Sequence, residues 1–377
     1  MDFSFSEEQQ ALRDLAERII GDKATIERVV EVERRTDERV DRDLWAALAA
    51  SQLLGVAIPE EFGGLGFTIL ELTLVLEQQG RFVAPVPLLP TLVLGALPIA
   101  EFGAPAQKER WLRAVAQGQA MLTGAFAERG ANNVQRSSVQ ATRGASGWSL
   151  SGAKIAVPAA HVAGAALIPA ETDDGLTVFI VDPKAAGVEL TRHETTARDV
   201  QCSMELSGVF VSDDDVLGAI GEGAAIASWS IDRADVAGAA LALGCCEAAL
   251  ALAANYTSER QQFGRPLSTN QGVTIRAADA YIDIDCMRVT AWQAAWRLGQ
   301  GLPARDEIDI AKYWAAEGGQ RAVHATQHLH GGMGADIDYP VHRYFLWVKQ
   351  LENTFGGGPQ HLARLGRSIA HRATNGA

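Results

Sequence analysis

The sequence predicts an α+β fold laid out as three consecutive segments: helical, then β, then helical again. Two observations carry this expectation. The hydrophobic period is close to that of an α-helix up to about residue 118 and again after about 218, and between these points it falls to two. No alternating strand-helix units occur, which excludes a parallel doubly wound sheet, because runs of one element type followed by runs of the other build separate layers. With 377 residues, 47% of them hydrophobic, the chain can bury a large core and divide into domains. The expected boundaries are 1–118, 119–218 and 219–377.

In chain order, SEEQQALRDLAERII places Ser6 ahead of two acidic residues and so predicts a capped helix. LWAALAASQLLGVAIP continues the helical period until Pro59 and the turn FGGLG end it, and TILELTLVLEQQGR resumes it. The segments WSLSGAKIAV, HVAGAALIPA, GLTVFIVDP and MELSGVFVSDD predict strands separated by Gly, Pro and Asp turns, paired antiparallel. Beyond 221, AGAALALGCCEAALALAANYTSER and TIRAADAYIDIDCMRVTAWQAAWRLGQG predict two long helices. On the second, Tyr281, Ile284, Trp292 and Trp296 are expected to be core side chains, with an interface as the alternative.

Charge and composition exclude some partners. Against 33 Lys and Arg stand 46 Asp and Glu, a formal charge of −13, which disfavours nucleic acid and anionic membranes. The N-terminal stretch lacks a basic region followed by an apolar one, so no signal peptide is expected. No run of ~18 apolar residues suggests a membrane span, and the expected location is the cytoplasm. The four cysteines, including adjacent Cys245 and Cys246, lack metal-ligand spacing and are expected to be reduced core thiols.

Two motifs can carry chemistry. ERQQFGRPLSTNQ, residues 259–271, breaks two helical patterns with Gly264 and Pro266 while presenting arginines suited to phosphate oxygens and a phenylalanine suited to a flat ring. An ordinary helix-loop-helix corner has the same composition. HLHGGMG, residues 328–334, offers glycines whose N–H groups can approach a phosphate closely, although no strand precedes it and a plain helix end reads the same way. His328 and His330 lack Cys or carboxylate neighbours in the sequence, so no metal is expected there.

Taken with PEEFGGLG at 59–66, ERQQFGRPL at 259–267 and QHLHGGMGADIDYPVHRYF at 327–345, in that order over nearly the whole chain, the sequence resembles the acyl-CoA dehydrogenase family. The resemblance implies an N-terminal helical domain, a middle antiparallel β domain and a C-terminal four-helix domain used for FAD contact and oligomerisation. It also implies α,β-dehydrogenation of an acyl-CoA thioester by FAD, with an electron-transfer flavoprotein or similar acceptor. By the same resemblance, Arg260, Gln262, Phe263 and Gln271 fall on positions that bind the adenosine and pyrophosphate part of a neighbouring subunit's FAD. His328, Gly331, Gly332 and Gly334 fall on the second such loop, with His328 replacing a usual glutamine.

The family's catalytic glutamate is missing from both of its usual places. Phe355, before the triple glycine, occupies one; in SIDRADVAG, Ala234 occupies the other and Asp235 stands where an arginine follows. The segments that meet the flavin ring are altered too, with Ala127 for a threonine and with Ala156 and Pro158 in place of an aromatic and a hydroxyl. The expectation is a non-catalytic β-type subunit that completes an FAD site of a catalytic partner. It resembles that subunit of actinobacterial α2β2 enzymes acting on steroid side chains. For an isolated chain, a homodimer or homotetramer stays open as an alternative assembly. Two alternatives stand: a self-sufficient enzyme using Asp235, or behind it Glu352 or Glu128, as the base, and a non-redox acyl-CoA-binding scaffold.

Overall fold

The computed structural model describes residues 4–35, 37–130 and 133–375. Helices α1 (Glu7–Lys23), α2 (Ile26–Arg35), α3 (Arg42–Ala50), α4 (Ile69–Arg81), α5 (Leu97–Phe102) and α6 (Pro105–Ala116) come first. Eight strands follow: β1 (Leu122–Gly124), β2 (Gln140–Arg143), β3 (Trp148–Pro158), β4 (Ala165–Thr172), β5 (Gly175–Val181), β6 (Val188–Glu194), β7 (Val200–Val211) and β8 (Val216–Leu217). Then come α7 (Gly223–Glu259), a two-strand hairpin of β9 (Gln261–Gln262) and β10 (Arg265–Pro266), and helices α8 (Gln271–Gly299), α9 (Arg305–Tyr313), α10 (Gly319–Leu329), α11 (Val341–Asn353) and α12 (Gly358–Asn375). The helical, β, helical order is the expected one. Ser6 caps α1 as its position predicts: its hydroxyl accepts from Gln9 N at 3.2 Å, and the Gln9 side chain accepts from Ser6 N at 2.9 Å.

Two compact units form, and they do not follow the chain segment by segment. One gathers Met1–Val30, Ile69–Ala84 and Asp235–Ala377; the other gathers Glu31–Thr68 and Pro85–Ala234.

The second unit contains the sheet, in the order β6-β7-β3-β2-β4-β5-β8, with β1 alongside β4. Alternation along β3 and β7 buries Trp148, Leu150, Cys202, Met204 and Leu206 in one apolar core. Most pairings are antiparallel as expected, but β1 and β2 each run parallel to β4. That pairing joins segments far apart in the chain, so period alone does not reveal it.

In the first unit, α7, α8, α10 and α11 share a core of Leu243, Cys246, Ile284, Met287, Val323 and Val348, among others. Helix α4 crosses α7 backbone to backbone. A Cβ on Gly244 would meet Glu77 O at 1.9 Å, and one on Gly80 would meet Leu241 O at 2.1 Å, so only glycine fits at either position. Cys202, Cys245 and Cys246 are buried thiols, but Cys286 is half-exposed on α8, outside the expected core. Helix α7 corrects a second expectation, because it is long and apolar enough by composition to cross a membrane; 72% of its most apolar window is buried within the protein, as in a core helix.

Candidate functional site

An open groove of about 1260 Å³ lies in the first unit, lined by the end of α7, the β9-β10 hairpin, one face of α8, and α10 with the turn after it. Arg260, Gln262, His328, Gly331 and Gly332 all line it, so the structure brings five of the eight sequence-predicted residues to one place.

The hairpin turn is Phe263-Gly264, with φ of 55° and 77°, and two consecutive left-handed residues between paired strands make a tight turn of the primed kind. Asn or Gly usually occupies its first position. Phenylalanine there is strained, and its ring is 99% exposed, so local packing does not account for it. Phe263 therefore projects from the tip and does not line the groove.

Gln271 begins α8 and is exposed, but it is not part of the groove lining. The preceding Asn270 does not cap the helix, because its side chain accepts from Arg265 at 2.7 Å and donates to Leu267 O at 3.1 Å. The N-terminus of this 29-residue helix, with its partial positive charge, is thus left uncapped where Asn270 and Gly272 border the groove.

The three glycines after α10 divide by role. Gly331 has φ +58°, and neither Gly331 nor Gly332 has any atom within 4 Å of where a Cβ would stand, so both leave open backbone on the groove. Gly334 is buried, and a Cβ there would meet Gln327 O at 2.4 Å; its carbonyl also accepts from the Gln327 side chain. Gly334 is required by packing and stands outside the lining. His328 and His330 both line the groove; His330 is otherwise buried, with its ring against Tyr256 and Tyr339 and Nδ1 on Thr326 O at 2.7 Å. No group of three or more His, Cys, Asp or Glu among the described residues is arranged for a metal.

Sequence reasoning missed Arg276, Arg321 and His324, which line the same groove. Arg321 is fixed by Asp283, through Nε at 2.9 Å and Nη2 at 2.5 Å. The available signal was helical spacing: Arg276, Asp279 and Asp283 share a face of α8, and Arg321, His324 and His328 share one of α10.

The two base positions hold no usable acid. Asp235 is fully buried in a cluster with α9 and α12, where Arg364 Nη2 lies 3.5 Å and His361 Nε2 3.8 Å from its carboxylate. Asp309 takes His361 Nδ1 at 2.9 Å and Arg364 Nη2 at 2.6 Å. Lys312 of α9, equally buried, donates to Leu351 O at 2.6 Å; burial drives its ammonium down to about 8 against the pull of Asp235 and Glu352. Glu352 is bridged by Lys349 at 2.5 Å. At the other position Phe355 is half-buried with φ +61°, beginning a glycine turn that is tightly enclosed. A Cβ on Gly356 would meet Gln360 Oε1 at 2.7 Å, and one on Gly358 would meet Glu317 Oε1 at 2.8 Å.

In the second unit, Glu128 is engaged by Lys154 Nζ at 2.5 Å, Ser137 Oγ at 2.6 Å and Ser138 N at 2.7 Å. Burial pushes its carboxyl up, but those donors outweigh it and hold it at about 2. A carboxylate so fully hydrogen-bonded is structural. Beside it, Ala156 sits at φ 50° in a bulge of β3, and the Pro158 carbonyl accepts from Thr123 Oγ1 at 2.5 Å. This stretch offers no hydroxyl or aromatic side chain at 127, 156 or 158.

Residues 6–119 match the family profile "Acyl-CoA dehydrogenase, N-terminal domain" and residues 221–370 match "Acyl-CoA dehydrogenase, C-terminal domain". The chain is 38% identical to acyl-CoA dehydrogenase FadE27 of Mycobacterium tuberculosis, over 98% of this chain and 99% of that one. Among solved structures, a variant of the Tcur3481-Tcur3483 steroid ACAD shares 44% identity at a TM-score of 0.91, covering 98% of this chain and 99% of the other. The ChsE4-ChsE5 complex from Mycobacterium tuberculosis shares 38% identity at a TM-score of 0.92, with the same coverage of each chain.

Proposed function

This chain belongs to the acyl-CoA dehydrogenase family, and from that membership we propose that it is the subunit of a heteromeric enzyme that grips the nucleotide end of a partner's FAD. FAD is the family's cofactor, and when bound it supplies the hydride acceptor. The residues present fit one part of it. Uncommitted Arg260, the open backbone at Gly331 and Gly332 and the uncapped start of α8 suit a diphosphate. The segments at Ala127, Ala156 and Pro158 offer no side-chain hydroxyl or aromatic face for the ring. In this reading the C-terminal segment 219–377 contacts cofactor and partner, 119–218 keeps the β scaffold, and 1–118 completes the helical packing.

One observation carries the proposal: a groove lined by uncommitted Arg260 and bare glycine backbone stands open, while the two base positions, 234 and 355, hold no carboxylate. The named relatives support it, since one is a complex of two different chains and another is a steroid enzyme. We therefore assign the assembly to α,β-dehydrogenation of steroid-type acyl-CoA thioesters in an α2β2 arrangement. The exposed stripe Ile275, Ile282, Val289 and Trp296, seven residues apart on α8, runs on from the groove and suits the same partner. This chain's part is to bind and orient the cofactor; the partner supplies the carboxylate that takes the α-proton.

The self-sufficient alternative needs Asp235 to reach a substrate, which its burial against Arg364 and His361 opposes. In the co-expressed complex, Asp235→Asn should leave the α-proton exchange of bound acyl-CoA intact, whereas removing the partner's glutamate should abolish it. Loss of exchange on Asp235→Asn in a normally assembled, FAD-replete complex would reverse the assignment.

A further inference from the structure

We propose that Arg276 is a second anion-binding arginine of the groove and that, together with Asp279 one turn along α8, it selects a nucleoside diphosphate over a mononucleotide. This inference rests on the reading that the groove receives the nucleotide end of FAD.

Three guanidinium groups line the groove, from Arg260, Arg276 and Arg321. Arg321 is committed in a bidentate pair with Asp283. Among the described residues, neither Arg260 nor Arg276 has a side-chain hydrogen bond or ion pair, and both are exposed to the groove. Two uncommitted arginines thus approach from different elements, one at the end of α7 and one in the second turn of α8. A nucleoside diphosphate bridging two groups carries one negative charge on each phosphate, and a planar fork can take each of them. A mononucleotide has one phosphate and leaves the second arginine without a counter-charge.

Asp279 sharpens the choice. It lies three residues after Arg276, hence on the same face of the helix, and it also lines the groove without a committed partner among the described residues. An ionised carboxylate repels a free polyanion but accepts hydrogen bonds from hydroxyl groups, such as a ribose diol next to a diphosphate. Arginine followed by aspartate along one face therefore matches phosphate followed by ribose. It does not match inorganic phosphate or a bare anionic peptide. Because both side chains are exposed and absent from the core, their substitution leaves the fold intact.

The test uses the assembled complex, stripped of flavin and titrated separately with FAD and with FMN by quenching of flavin fluorescence. Arg276→Gln should raise the Kd for FAD about tenfold or more while leaving that for FMN nearly unchanged, so the preference between them collapses. Arg276→Lys should restore part of it, and Asp279→Asn should weaken FAD but not inorganic pyrophosphate used as a competitor. If Arg260→Gln weakens FAD while Arg276→Gln alters neither the FAD Kd nor the FAD-to-FMN ratio, Arg276 is an ordinary solvated arginine and the inference is wrong. If Arg260→Gln also has no effect, the groove does not hold FAD and the functional reading itself falls.

Discussion

At Gly356 the backbone φ is +115°, and the space where a Cβ would stand is bounded by Gln360 and His361. Gly357, its neighbour, is not in the left-handed region, and a Cβ there would meet nothing nearer than Asn353 Oδ1 at 3.4 Å. The two glycines should therefore respond differently to one added methyl group. Gly356→Ala should lower stability by about 1–3 kcal/mol, and Gly357→Ala by far less, as read from urea midpoints. Equal effects would mean that the triple glycine is tuned for something other than this turn. Lys312 makes a separate prediction. Its folded-state value of about 8 lies below the 10.5 of a free lysine, so between these values the unfolded chain binds the extra proton and stability rises with pH. Lys312→Met should flatten that rise, which a series of denaturation curves over the interval would detect. A stability profile of the same slope in both proteins would place the ammonium in a less buried setting.

The β9-β10 hairpin is the element where local rules and sequence disagree most. A primed turn favours Asn at its first central position, yet Phe263 holds it with an exposed ring. If the ring serves only the turn, Phe263→Asn should be neutral or stabilising in every assay. The account instead predicts that Phe263→Asn leaves the isolated chain at least as stable as before while FAD dissociates faster from the complex, measured by flavin release. Unchanged release would remove Phe263 from the cofactor site. Elements were also where sequence reasoning was strongest. The capped start of α1, the change of period at the strands and the two long Ala-rich helices are local patterns, and they lie in neighbouring residues. What sequence did not show depends on distance: β4 receives β1 and β2 in parallel, and Asp235 meets Arg364 from the far end of the chain. Arg276 and Arg321 belong to the site only because α8 and α10 face one another across it. Gly334 illustrates the converse, a motif residue whose spacing suggested a phosphate contact and whose surroundings show a packing requirement.

Across the whole molecule, losses and retentions are segregated. In the first unit the groove keeps uncommitted Arg260 and Arg276 and open glycine backbone, while Asp235 is buried against Arg364 and His361. In the second unit the sheet is well packed, and its one candidate carboxylate, Glu128, is consumed by Lys154 and two serines. A chain drifting without function would lose the exposed groove first, because nothing in the core depends on Arg260 or Phe263. A self-sufficient dehydrogenase would need the opposite pattern at the base. The most direct measurement is the flavin content of the purified chain alone and of the chain assembled with a family member that bears the glutamate. The account predicts a colourless, inactive chain by itself and two tightly held FAD per four-subunit complex. Stoichiometric FAD with dehydrogenation by the lone chain would contradict it.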